Sequence, residues 1–107
     1  MDAQELIERY NAGEREFGGA YLVRADLRGA VLSEANLSEA NLDEADLSGA
    51  DLRRACLDLA HLSGANLAGA NLEGTFLYGA YLSGANLTGA NLEGARLHGA
   101  DLTGATQ

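Results

Sequence analysis

The side chains with chemical reach are few. Cys56, Asp58 and His61 fall within six residues, then Phe76, Tyr78 and Tyr81 within another six, with Arg96 and His98 beyond. A thiol, a carboxylate and an imidazole are the ingredients of a nucleophilic or metal site. One cysteine and two histidines in the whole chain are, however, too few soft ligands for structural zinc. No acid, base and nucleophile set with an oxyanion hole is legible, and the glycines follow neither GxxxxGK[ST] nor GxGxxG. The expectation is a solvated thiol, no catalytic residue, no metal and no cofactor. The aromatics Phe76, Tyr78 and Tyr81, bordered by His61 and Arg96, admit two readings. They either cover corners, with Arg96 stacked on Phe76 as an ordinary cation–π contact, or they form a protein-docking patch.

The bulk properties narrow the function classes. A chain of 107 residues, 47% hydrophobic and 21% charged, fits one small domain. Sixteen acidic residues against seven arginines and no lysine leave a net charge of −9. Such a surface repels phosphate backbones and anionic membranes, so the partner is expected to be a protein, with no direct nucleic acid and no membrane. Cys56 alone cannot form an internal disulfide, and no signal, transit segment or long apolar span is apparent. A cytoplasmic setting is expected.

Two segments position these groups. Residues 1–16 read as a helix that caps the longer second segment. Asp2 offers the N-cap with Glu5 three residues on, in the manner of a capping box, while Ala3, Leu6, Ile7 and Tyr10 make one apolar stripe. Asn11 and Gly13 supply a stop. From residue 17 to 107 the pattern changes. Phe17, Leu22, Leu27 and onward to Leu102, eighteen positions in all, place a large apolar residue every fifth residue. Alanine stands two residues before each, from Ala20 to Ala100, with Thr75 the one departure. Two residues after each stands glycine in twelve units, and Arg24, Glu34, Glu39, Glu44, Arg54 and Leu59 in the other six.

A period of five matches neither the helix nor the plain strand, so the chain must turn once per unit. Alanine and leucine two apart share a face and point inward, and the residue between them, most often Asn or Asp, points out. The last two positions carry turn chemistry. No proline occurs, as expected where amides must bond to neighbouring layers. The outcome is an all-β solenoid that stacks columns of Leu and Ala.

The A(N/D)LXX run over about residues 17–105 resembles the pentapeptide repeat family. The resemblance implies a right-handed quadrilateral β-helix, here about 4.5 coils, behind the N-terminal helix. Charge pairing leaves the number of sides open. A spacing of twenty sets Arg24 on Glu44, Glu34 on Arg54 and Arg53 on Glu73; a spacing of fifteen sets Arg24 on Glu39, Arg28 on Asp43 and Arg54 on Glu39. Each also brings two like-charge pairs together. Four sides rests on the resemblance.

With a spacing of twenty, one outward column is Asn36, Cys56, Phe76 and Arg96, and its neighbour Tyr21, Asn41, His61, Tyr81 and Asp101. The remaining columns, with Asp26, Asp46, Asn66 and Asn86 and with Val31, Asp51, Asn71 and Asn91, are expected to be tied by stacked amide hydrogen bonds. Their scarcity of threonine argues against ice binding. The function expected is a non-enzymatic, rigid protein-interaction scaffold. The alternative, implied by family members that protect DNA gyrase, is an acidic DNA mimic of gyrase or another DNA-binding protein, with Asp26, Asp46 and Asp51 as phosphate-like charges. The last repeats carry no visible cap, so Leu97 and Leu102 are the candidate edge of a homodimer, or the place where the array continues into or docks against another repeat protein.

Overall fold

The computed structural model describes all 107 residues. Its single helix, α1, spans Ala3–Asn11, and the Asp2 carboxylate accepts the Glu5 N–H at 2.8 Å. The expected reciprocal half of a capping box is not formed. The Glu5 carboxylate turns instead toward Arg9, at 3.5 Å, which lies one helical turn ahead on the same face. Leu6 and Tyr10 are buried against the first coil, and the Tyr10 hydroxyl donates to the Ser33 carbonyl at 2.8 Å. Packing of this stripe holds a helix too short to persist alone. Gly13, at a φ of 104°, carries the chain out of it.

From Glu16 onward the backbone repeats one movement: a bridging residue, a leucine, two turn residues, an alanine. Each bridging residue pairs in parallel with the residue twenty positions later, as Asp26 does with Asp46, Asn36 with Cys56 and His61 with Tyr81. Four pentads therefore complete one circuit, which decides the register that charge pairing had left open. The like-charge contact of Asp26 with Asp46 is tolerated because Asp26 holds Arg28 and Asp46 accepts the Ser48 hydroxyl at 2.7 Å.

In a central pentad every amide has a partner. The Asn66 N–H donates to the Ala45 carbonyl in the preceding coil, and Leu67 and Gly69 donate to Asn86 and Thr88 in the next, all between 2.7 and 2.9 Å. The Ala70 N–H closes the turn on the Leu67 carbonyl at 3.0 Å. The fifth amide, of Ala68, goes to the side-chain oxygen of Asn66 at 3.0 Å. Asn36, Asn41, Asn71, Asn86 and Asn91 repeat this bond to the amide two residues on. The amide ladders expected of these columns are mostly absent. Only Asn91 Nδ2 reaches Asn71 Oδ1, at 3.4 Å, because the same oxygens are already committed to their own turns.

The second turn residue carries a positive φ throughout, as a type II turn requires. Glycine meets this need at twelve corners, while Arg24, Glu34, Glu39, Glu44, Arg54 and Leu59 adopt φ between 57° and 63°. A side chain in this conformation costs about 1–2 kcal/mol. All six lie in the first part of the solenoid; from Gly64 to Gly104 the corners are glycine without exception.

Inside, 29 residues are buried and all but Thr75 are apolar. The Thr75 hydroxyl donates to the Leu52 carbonyl at 2.7 Å, which satisfies the one polar side chain in the alanine column. The inward leucines from Leu32 to Leu82 are at most 1% exposed, each contributing about 1.5–3 kcal/mol. Leu92, Leu97 and Leu102 are half-buried, and their amides make no hydrogen bond within the chain. No helix is long and apolar enough to cross a membrane.

Leu62 lies at the centre of the leucine ladder, wholly buried. Leu62→Asp would bury a carboxylate with no partner, so circular dichroism of that variant should show loss of the folded signal at room temperature.

Candidate functional site

The solenoid encloses no cavity and carries no cleft, so any site must be an exposed edge or face. One edge differs from the others. It is made by stacked corners, with Asp58 and Leu59 in one coil, Tyr78 and Gly79 in the next, and His98 and Gly99 beyond. They are joined by the Leu59 N–H to the Tyr78 carbonyl at 2.8 Å and the Gly79 N–H to the His98 carbonyl at 3.0 Å. On one side runs the column of Cys56, Phe76 and Arg96, on the other that of His61, Tyr81 and Asp101. The five residues singled out for docking, His61, Phe76, Tyr78, Tyr81 and Arg96, are thus brought to one edge.

Their contacts arise from that register. His61 and Tyr81 stack with ring centroids 4.8 Å apart, because parallel bridging sets them in successive layers of one face. The Arg96 guanidinium lies 5.3 Å from the centre of the Phe76 ring, and its Nη1 is 3.5 Å from the Tyr78 hydroxyl, a contact that keeps it firmly charged. Tyr78 and Tyr81 are 37% and 43% exposed, and Leu59, one coil before Tyr78, is 49% exposed. A Cβ at Gly79 would come within 2.9 Å of Leu59 Cδ2, so glycine provides the seat on which Leu59 rests.

Arg96 is also unlike the other arginines. Arg9, Arg24, Arg28, Arg53 and Arg54 pair with carboxylates, and Arg15 donates to the backbone carbonyls of Tyr10 and Glu14. Arg96 meets only aromatic side chains. This isolation was not legible in advance, whereas the corner at Leu59 was marked by its gap in the glycine column. The signal for Leu59 was present, since it is the one aliphatic residue at a corner position.

Cys56, Asp58 and His61 do not form a cluster that could hold a metal. The Asp58 carboxylate accepts the Tyr78 N–H at 3.0 Å. Cys56 is half-buried rather than fully solvated. Burial, with the charge of Asp58, pushes its thiol up, away from the reactive thiolate.

The three carboxylates considered as phosphate-like are engaged locally. Asp26 holds Arg28 through both oxygens at 2.8 Å, and Asp51 holds Arg53 at 2.9 and 2.7 Å. Asp46 accepts the amide and hydroxyl of Ser48. All three also accept the amide two residues on, as the asparagines do. Leu97 and Leu102 lie on the last circuit, half-buried.

A family model for pentapeptide repeats matches residues 20–58, 60–99 and 77–106, in eight copies. The chain belongs to the pentapeptide repeat family. Among solved structures, this pentapeptide repeat chain is similar to HetL of Nostoc sp. strain PCC 7120, a protein involved in heterocyst differentiation regulation, at 39% identity and a TM-score of 0.97, over 98% of this chain and 44% of HetL. It is similar to Rfr23 of the cyanobacterium Cyanothece 51142 at 42% identity and a TM-score of 0.83, over 85% of this chain and 63% of that one. A pentapeptide repeat protein of the Arabidopsis thaliana thylakoid lumen matches at 35% identity and a TM-score of 0.84, over 87% and 65% of the two chains. The chain thus spans between 44% and 65% of the length of these relatives. No curated protein sequence matches it.

The bidentate pairing makes a direct prediction for Asp26. Its bonds from the side chain and backbone of Arg28 lower its carboxyl to about 2 from an ordinary 3.8. A depressed folded value means the pairing favours the folded state above the ordinary value and is lost as pH falls through about 2. Carboxyl-resolved NMR titration should place the Asp26 midpoint there, and Arg28→Ala should return it toward 3.8. A parent midpoint already near the ordinary value would contradict the pairing.

Proposed function

We propose that this chain is a non-enzymatic, rigid protein-interaction module that works in the cytoplasm. It presents the edge formed by Phe76, Tyr78, Tyr81, His61 and Arg96 to an as yet unidentified protein partner. In this reading the array is a right-handed solenoid of about 4.5 coils behind a capping helix of residues 1–16, and its stiffness comes from amides bonded in pentad after pentad. One observation carries the docking reading: Arg96, with no carboxylate partner on a chain of net charge −9, sits between the half-buried Phe76 ring and the exposed Tyr78. Aromatic and arginine side chains at one place are what protein interfaces concentrate. A rigid edge of this kind binds without first ordering its own backbone, which keeps the entropic cost of association low.

Phe76 and Tyr81 point outward, so Phe76→Asn with Tyr81→Asn should leave the circular dichroism spectrum and Tm of the parent intact. Association with a partner identified by cross-linking should be lost in the same variant. Undiminished association would remove the edge from consideration.

The acidic composition supports DNA mimicry of gyrase or another DNA-binding protein as the second reading. It is the weaker of the two, because Asp26 and Asp51 each already hold an arginine, which reduces the phosphate likeness of the faces that present them. Salt-sensitive inhibition of gyrase supercoiling by the parent, lost on neutralising Asp26, Asp46 and Asp51, would reverse the order.

Leu97 and Leu102, half-buried on a circuit whose leucine amides are unpaired, support a homodimer formed end to end. Light scattering over rising concentration should then show the mass doubling; a constant monomer mass would exclude it.

A further inference from the structure

Leu59 stands at a corner where the repeat otherwise places glycine or a charged residue. Its φ is 58°, a conformation unfavourable for a branched side chain, and the side chain is still 49% exposed. Neither the backbone nor burial explains a leucine there. Its position does: it rests on Gly79, beside Tyr78 in the next coil and near the stacked pair of His61 and Tyr81. Leu59, Tyr78 and Tyr81 are exposed apolar or aromatic groups gathered at one edge, whereas the other exposed large apolar side chains, Met1, Tyr21 and Val31, lie toward the start of the chain, and the other outward columns are mostly Asn and Asp.

The electrostatics of the edge are as particular as its apolarity. After Arg54, the basic side chains of the chain are His61, Arg96 and His98, and all three lie on this edge. The carboxylates flanking it, Asp58 and Asp101, each accept a backbone N–H, from Tyr78 and Thr103 respectively, and neither pairs with Arg96. A cationic segment approaching this molecule would be drawn to the acidic faces. An anionic segment would be repelled everywhere except where a guanidinium lies open.

We propose that the Leu59, Tyr78 and Tyr81 edge docks an anionic peptide segment carrying an aliphatic or aromatic side chain. Leu59 is its apolar anchor, and Arg96 receives a carboxylate of the segment. This rests on the docking reading above and names the chemistry of its partner. The left-handed strain at Leu59 then has a function: it lifts an apolar side chain off the corner, where glycine would fold more comfortably but present nothing.

A random-peptide display library selected against the full chain tests this. Selected peptides should be net acidic with at least one large apolar residue. In fluorescence anisotropy, a synthetic representative should lose about tenfold or more in affinity with Leu59→Gly and with Arg96→Gln, as hot-spot truncations do. The Tm of Leu59→Gly should equal or exceed that of the parent, because glycine relieves the corner. Selection of basic or neutral peptides, affinity indifferent to Arg96→Gln, or a lower Tm for Leu59→Gly would overturn this inference and leave the docking reading standing. Failure to enrich any peptide, or binding that ignores Phe76→Asn with Tyr81→Asn, would overturn both.

Discussion

A chain that turns a corner every fifth residue, while bonding the amides of its central coils to a neighbouring coil or to their own turn, has almost no freedom left in that backbone. The pentad Asn66 to Ala70 shows the constraint completely: two amides reach the next coil, one the preceding coil, one closes the turn and one is held by the asparagine side chain. Proline has no place in such a unit, since each of its five positions needs an N–H, and none occurs. The need for a left-handed residue at each corner comes from the same geometry, as does the inward pairing of a small with a large apolar side chain.

Because the backbone is so committed, variation is confined to the outward positions, and these stack in columns twenty residues apart. Electrostatics is then arranged in two ways. Arg24 with Glu44 and Arg54 with Glu34 pair vertically between coils, at 3.3 and 3.4 Å. Arg28 with Asp26 and Arg53 with Asp51 pair within a turn, at 2.8 and 2.7 Å. Exposed pairs of this kind, screened by solvent, add little to stability. Their larger effect is on the surface itself, where each neutralises a carboxylate locally while the net charge stays at −9. The edge of Leu59, Tyr78 and Arg96 stands out because it lacks such pairing.

Much of the local structure was legible from residue types. The N-cap at Asp2, the apolar stripe of α1, and the inward Ala and Leu all come from short-range rules, and the six non-glycine corners were marked by the gaps in the glycine column. The outward columns were legible once a spacing of twenty was assumed. What misled was competition among hydrogen-bond donors. Asparagines spaced to stack on one another, as Asn66 and Asn86 are, also lie two residues before an amide in need of an acceptor. The nearby amide wins, because that bond is made within the turn and fixes no additional partner. Glu5 illustrates the same competition, drawn to Arg9 rather than back to the Asp2 amide.

The sequence by itself determined the five-residue period, the inward and outward positions, the corners and the helix that precedes them, because each depends on residues within a few positions of one another. Only the tertiary structure decided that four corners complete a circuit. That number depends on the rotation accumulated over successive turns and on how many leucines fill a shared core, and charge pairing between coils was equally good for three corners or four. With it came every contact across twenty residues: Leu59 on Gly79, His61 on Tyr81 and Arg96 over Phe76. These contacts turn scattered aromatic and basic residues into one edge, and no local rule could have joined them.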